Sequence, residues 1–251
     1  MFRGLFAAVG FLTILPVPVS WSGGTRGLRR SLWWFPVVGA LLGGVVAAVC
    51  YGFDRVLPPL AGSALIVCLL VLLSRGLHVD GLADTADGLL SCQPRERALA
   101  IMRDSRTGAM GVAAVVLVLL TKTALLASLE AGTNRVWVVF LMPFLGRCSL
   151  LVAMGAFNYA RESEGLAAAL VVHGRKRGFL LLWAIVAALG GAYGAAGVPG
   201  VVAGVACAVF AALFGGICQR RLGGYTGDTL GAISEIAECI PALVFAFWQG
   251  A

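Results

Sequence analysis

Charge is scarce in this sequence. Charged residues make up 12% of its 251 positions, against about 25% in an ordinary soluble domain. That scarcity, with 60% hydrophobic residues and a mean hydropathy of +0.94, excludes a soluble globular enzyme and a disordered chain. Long polar stretches are missing as well. The longest, 75–106, is too short to build a core of its own. The apolar runs do not alternate and exceed what a tilted strand needs, which excludes a transmembrane β-barrel. No CxxC occurs among Cys50, Cys68, Cys92, Cys148, Cys207, Cys218 and Cys239, so they read as small apolar packers rather than disulfides or zinc ligands. Histidine is reduced to His78 and His173, and no Ser-His-Asp or Cys-His arrangement can be assembled.

What is present is a series of apolar blocks at 5–19, 32–53, 61–77, 109–129, 136–157, 179–198, 201–217 and 232–247. A spanning helix needs roughly 20 apolar residues. The expected fold is all-α: a polytopic integral membrane bundle of about seven spanning helices, with a short N-terminal apolar segment. Residues 1–251 form one membrane-embedded domain. The N-terminus superficially resembles a signal peptide. It lacks a small-residue cleavage site and ends in Pro16-Val-Pro18, so it is expected to stay in the mature protein, spanning, interfacial or re-entrant.

The net charge of +7 follows from topology, without nucleic acid. The long loops 20–31, 78–108, 158–178 and 219–231 carry nearly all the Lys and Arg outside the helices. The short loops hold only Arg55 and Arg135. The positive-inside rule puts the long loops, and a site built from them, in the cytoplasm.

Acidic residues cluster on that side. In Arg75-Gly-Leu-His78-Val-Asp80-Gly-Leu-Ala-Asp84-Thr-Ala-Asp87-Gly88, a helix puts Asp80, Asp84 and Asp87 on one stripe, within roughly 60° of each other. Three like charges repel unless a cation neutralises them, and oxygen-only ligands favour Mg²⁺, Mn²⁺ or Ca²⁺ over zinc. A solvated face would mix Lys, Glu and Gln with the aspartates; this one mixes Gly, Ala and Leu.

A second cluster follows the Gly-rich turn Arg220-Arg221-Leu-Gly-Gly-Tyr-Thr226-Gly227-Asp228-Thr-Leu-Gly231, where backbone N–H groups can hold phosphate. It lacks the Gly-Lys-Ser/Thr ending of a Walker A loop. Glu235 and Glu238 lie at i, i+3, with Asp228 on nearly the same face. The plainer reading is a loop with an N-capped helix. A third candidate is Met102-Arg103-Asp-Ser-Arg106-Thr-Gly108, either a phosphate site at a helix start or snorkelling charges with a cap. Lys122 and Arg147 sit well inside apolar blocks, where such cations face a bundle interior or a polar cavity. His78 is a candidate proton acceptor or phosphate donor; His173 reads as solvated.

Taken in order, Phe11-Leu-Thr-Ile-Leu-Pro16-Val-Pro18, His78-Val-Asp80-Gly-Leu-Ala-Asp84-Thr-Ala-Asp87-Gly88, Met102-Arg-Asp-Ser-Arg-Thr-Gly108, Tyr159-Ala-Arg161-Glu162 and Leu222-Gly-Gly-Tyr-Thr-Gly-Asp228-Thr-Leu-Gly231 span essentially the whole chain. Together they resemble the cobalamin-5'-phosphate synthase (adenosylcobinamide-GDP ribazoletransferase) family. Ile14 and Tyr225 depart from the pattern, standing where some relatives carry Arg and Gln.

The resemblance implies a Mg²⁺-dependent enzyme, with Mn²⁺ as the alternative ion, in the bacterial cytoplasmic membrane. It would join adenosylcobinamide-GDP to α-ribazole or its 5'-phosphate, releasing GMP. Besides these small molecules, its partners would be membrane lipid and a second copy or other cobalamin-assembly enzymes. For that reaction, Asp80, Asp84 and Asp87 are expected to hold the metal, with Asp228, Glu235 and Glu238 as second-cluster ligands or a base. Arg103, Arg106, Lys122, Arg147, Arg161, Thr226 and Gly227 would hold phosphate. Asp84, Asp87 and His78 are the catalytic candidates, with the base open between Asp87 and His78. A CDP-alcohol phosphatidyltransferase is the competing enzyme, but Asp84 stands where its motif has Arg after Ala83, and its downstream Gly-x-x-x-Asp-x-x-x-Asp is missing. A cation transporter would place its acids near the bilayer midplane.

Overall fold

A computed structural model of the chain describes residues 2–161 and 169–249. Among these residues every regular element is helical: α1 (Phe2–Leu12), α2 (Val19–Ser22), α3 (Gly24–Ser31), α4 (Phe35–Phe53), α5 (Pro59–Leu73), α6 (Leu77–Leu90), α7 (Arg95–Ile101), α8 (Ala109–Ser128), α9 (Thr133–Ala156), α10 (Arg175–Leu222), α11 (Gly227–Ala237) and α12 (Cys239–Gln249).

The breaks lie where the sequence forbids a continuing helix. Pro16 and Pro18 end α1, whose 11 residues span about 16 Å and cannot cross a bilayer. Pro36 and Pro59 sit in the first turns of α4 and α5, where a missing N–H costs nothing. Arg75 and Gly76 both adopt positive φ, 54° and 66°, and turn α6 by 91° from α5. For arginine that conformation is uncommon.

α9 is the central post. Nearly every side chain from Val138 to Gly155 is buried, and α4, α10 and α11 wrap it. Glycines set the closest approaches. A Cβ on Gly39 would lie 2.9 Å from the Pro143 carbonyl, so α4 and α9 meet backbone to backbone. α8 is peripheral, with few buried residues and an apolar outer face.

Against an expectation of about seven spans, five helices are long and apolar enough to cross, or six if the bent pair α5–α6 is one span. The difference lies mostly in α10, where the blocks 179–198 and 201–217 join in one 48-residue element. Straight, it would measure about 72 Å, more than twice a hydrocarbon core. It is not straight. Ala196 (φ −142°, ψ 16°) and Gly197 (φ 60°, ψ −138°) leave helical geometry, and Pro199 follows. A Cβ on Gly200 would run into the Ala192 carbonyl, and one on Gly204 would lie 3.3 Å from Leu189. A continuous helix keeps residues eight apart at about 12 Å along its axis, so the two halves fold back on each other.

The short-loop cation Arg135 is also placed differently from its sequence reading. It lies in the first turn of α9, 1% exposed, with its guanidinium 3.0 Å from Asp54 and 2.8 Å from the Ser63 hydroxyl. It locks α4, α5 and α9 together at the end of the bundle away from Asp80.

Candidate active site

The site forms where α6 crosses α11. Both helices are narrow there. A Cβ on Gly81 would lie 2.7 Å from the Asp228 carbonyl, and one on Gly231 would lie 3.1 Å from the Gly81 Cα. The glycines that weaken α6 as an isolated helix therefore allow the crossing. Asp80 and Asp228 line one cavity of about 220 Å³, with His78, Tyr159, Arg161 and Gly227. Asp84 lies within electrostatic reach of Asp80, Asp228 and Asp87. Asp228 thus joins the first acidic cluster across the crossing, rather than the pair Glu235 and Glu238 on its own helix.

Local geometry explains how α11 presents Asp228. Thr226 is its N-cap: the Thr226 hydroxyl accepts from the Thr229 N–H at 3.2 Å, and the Thr229 hydroxyl accepts from the Thr226 N–H at 2.8 Å. The reciprocal pair is a capping box. Thr226 is fully buried, so its side chain serves the cap, while Gly227 faces the cavity. Just before it, the Tyr225 N–H donates to the Asn158 carbonyl at 2.8 Å and the Ala160 N–H donates to the Tyr225 carbonyl at 2.9 Å. This bridge delivers Arg161, whose guanidinium donates to Asp228 at 2.8 Å. Burial raises the Tyr225 phenol to about 12, so it stays protonated. Glu162 of the same motif lies outside the described residues.

Asp87 occupies a different position on the stripe. Its carboxylate accepts from the N–H groups of Gly108 (2.6 Å) and Gly111 (2.8 Å), at the start of α8. It is a long-range cap, favoured by the positive end of that helix.

Glu235 and Glu238 lie deeper, 3% and 2% exposed. Lys122 donates to Glu235 at 2.5 Å and to Glu238 at 2.7 Å. Arg147 pairs with Glu238 and donates to Ser234 at 3.4 Å. Two cations and two carboxylates form a neutral buried set that ties α8, α9 and α11. The sequence expected these cations to face phosphate; the structure turns both onto the glutamates. His78, 3% exposed, stands between this set and the cavity, and its Nδ1 has no hydrogen-bond partner among the described residues.

Arg106 folds onto Asp104 in an exposed turn, at 3.1 and 2.8 Å. These hydrogen bonds hold the Asp104 carboxyl down at about 2. Arg103 lies in the same exposed segment. The residue that sequence reasoning missed is Arg95. Its guanidinium donates to the carbonyls of Leu222 (2.7 Å) and Ala160 (3.0 Å), pinning both sides of the bridge that carries Arg161. Nothing in the sequence marks it, because its acceptors are backbone atoms up to 127 positions away.

Among the described residues, no three His, Cys, Asp or Glu side chains converge closely enough to cage an ion by themselves. The all-oxygen donor set still suits Mg²⁺, which is ordinarily bound through one or two carboxylates together with substrate phosphates and water.

The model of the family described as cobalamin-5-phosphate synthase matches residues 4–246. An adenosylcobinamide-GDP ribazoletransferase of Pseudomonas aeruginosa is 40% identical over 248 residues, covering 97% of this chain and 98% of the relative. Relatives of the same name from Desulforamulus reducens and Acetivibrio thermocellus are 37% and 34% identical, over 95% and 98% of this chain and 94% and 98% of their own lengths. No solved structure matches. With a family match over nearly its whole length, the chain belongs to the cobalamin-5-phosphate synthase family and is a transferase of cobalamin biosynthesis.

Proposed function

We propose that this chain transfers the adenosylcobinamide-phosphate group from adenosylcobinamide-GDP to α-ribazole or its 5'-phosphate. The observation that carries this reading is the α6–α11 crossing, which gathers Asp80, Asp84 and Asp228 with Arg161 at a cavity between apolar helices. In the reaction, the ribazole hydroxyl oxygen forms a bond to the phosphorus on the cobinamide side of the pyrophosphate. The bond from that phosphorus to the bridging oxygen breaks, GMP leaves with the bonding pair, and the hydroxyl proton passes to a base.

Asp80, Asp84 and Asp228 would hold Mg²⁺, which would supply positive charge against the substrate's phosphates. Arg161 adds a cation beside Asp228 and orients its carboxylate. His78, with an unpartnered Nδ1 in the cavity wall, is placed to hydrogen-bond a substrate oxygen or hydroxyl. Asp87 fixes the start of α8 and so holds α6 in place.

The finer topology follows the charges. Both ends of α10 are basic, with Arg175, Lys176 and Arg177 at one and Arg220 and Arg221 at the other, and its fold-back carries no charge. Counting its halves separately, and α5–α6 as one crossing, gives seven spans. The ends carrying most of the Lys and Arg then lie on one side, with only Arg55 and Arg135 opposite, and the positive-inside rule makes that side the cytoplasm. The aspartate site opens on that side of a bacterial inner membrane.

The test uses detergent-purified protein with adenosylcobinamide-GDP, α-ribazole and Mg²⁺, with and without EDTA. Formation of GMP and adenosylcobalamin in equal amounts, stopped by EDTA, is the expected result. Folded protein that yields neither product would overturn the reading.

A further inference from the structure

The cavity at Asp80 is small for its proposed substrate. About 220 Å³ is below the roughly 300–1,000 Å³ of pockets that enclose drug-sized ligands. It does not end at its own walls, however. Phe11 and Leu77 also wall a second cavity of about 370 Å³, bounded by Phe6, Gly10, Val17 and Leu28. Phe6 in turn borders a third, of about 330 Å³, that reaches Arg3 and Trp21. The three adjoin in a row, from the aspartates out along α1 to α3.

The row is built into the fold. The Ile14 N–H donates to the Leu73 carbonyl at 2.7 Å and holds the proline segment beside the α5–α6 corner. Gly10 keeps α1 close to Val17, since a Cβ there would lie 3.1 Å from the valine side chain. The walls of the second cavity are mostly aromatic and aliphatic, with Ser22 as a polar wall and Arg75 as a cation two residues before Leu77, which lines both cavities. Arg75 holds the uncommon positive φ that makes this corner. An anionic group is therefore favoured near Arg75 and a less polar surface along the rest of the wall. A separate aromatic groove, formed by Arg30, Trp33, Trp34, Val37 and Trp183, shares no wall residue with either cavity.

We propose that the trough along α1–α3 receives the ring-bearing half of the corrinoid nucleotide, with its phosphates between Arg75 and the Asp80–Asp228 cavity. This rests on the functional reading above and specifies how that substrate lies. The short N-terminal helix, which crosses nothing, is then one wall of the substrate site. The aromatic groove at Trp33 and Trp183 takes no part.

The experiment uses the full chain in lipid nanodiscs. Binding of adenosylcobinamide, the ring without its nucleotide, is measured by equilibrium dialysis and absorbance. KM is measured separately for adenosylcobinamide-GDP and for α-ribazole. Val17→Trp and Leu28→Trp fill the trough. Each is expected to raise the Kd for adenosylcobinamide and the KM for its GDP form at least tenfold, with the KM for α-ribazole within twofold. Phe6→Ala, which removes bulk and adds none, is expected to weaken ring binding about fivefold. Trp33→Ala and Trp183→Ala are expected to stay within twofold throughout. Unchanged ring binding in the trough variants would overturn the proposal, as would a tenfold loss in the Trp33 or Trp183 variants instead. Normal wild-type turnover alongside unaffected trough variants rejects the trough alone; absence of wild-type turnover in folded protein rejects the reaction.

Discussion

Two sets of acidic residues sit on one short stretch of α11 and meet opposite circumstances. Asp228, at the start of the helix, faces Asp80 and Asp84 across the α6 crossing, with Arg161 as its hydrogen-bonded cation. Glu235 and Glu238, two to three turns on, are matched charge for charge by Lys122 and Arg147 and closed off from solvent. The first set has excess negative charge beside a cavity; the second has none to spare. In a membrane protein, a carboxylate balanced by buried cations maintains helix packing. A carboxylate left unbalanced at a cavity edge is the kind that a cation and phosphates can complete.

The strongest test of this difference is Asp84→Asn or Asp228→Asn. Either should lower turnover by on the order of 10³ or more, equivalent to several kcal/mol of lost transition-state stabilisation. The thermal unfolding midpoint should stay near wild type. Retained activity in Asp84→Asn would remove the metal assignment.

The buried set should respond in the other way. Lys122→Met leaves Glu235 without its cation, and breaking a buried pair costs about 3–5 kcal/mol. Yield and melting temperature should fall sharply, with any folded fraction still active. Adding Glu235→Gln to Lys122→Met restores neutrality, because Arg147 still pairs with Glu238. The double variant should recover most of the lost stability. A double variant that is stable yet inactive would mean that this set touches the chemistry.

Smaller effects separate direct from indirect support of Asp228. Arg161→Ala should slow turnover roughly 10²-fold, the size of losing one preorganised donor, with partial return in Arg161→Lys. Arg95→Ala should cost about 1 kcal/mol of stability and roughly tenfold in kcat, because it releases the bridge that positions Arg161. An Arg95 variant with normal kcat would show that the bridge holds without it.

Least affected should be Asp104→Ala. Among the described residues its carboxylate pairs with Arg106, in an exposed turn. With the folded carboxyl at about 2, below its unfolded value, any stabilisation it gives is complete at neutral pH and fades only as pH falls towards 2. Melting temperature and turnover from pH 6 to 8 should match wild type. A clear loss of turnover would bring the Arg103–Arg106 segment into the substrate site.

Much of this architecture is readable from the chain. Apolar blocks at 32–53, 109–129 and 136–157 became α4, α8 and α9, because long apolar runs have no alternative to helix in lipid. The i, i+4, i+7 spacing of Asp80, Asp84 and Asp87 lies on one helix, α6. Where the reading diverged, spacing along one element had stood in for contact between elements. Asp228, Glu235 and Glu238 share a helical face by count, yet the crossing at Gly81 and Gly231 takes the first and the cations of α8 and α9 take the others. Lys122 and Arg147 were rightly expected to face polar partners inside the bundle, but sequence cannot say whether a buried cation meets phosphate or carboxylate.

The sequence by itself determined the helical class, the positions of most helices, the asymmetry of positive charge and the family. Those depend on hydropathy, periodicity and motif order, which are properties of consecutive residues. Only the tertiary structure decided that Asp87 caps α8 from another helix. It alone placed Asp228 with the α6 aspartates and assigned Arg95 to two distant carbonyls. Each of these is a contact between segments far apart in the chain, fixed by which glycines allow backbones to meet and which buried charges must find partners.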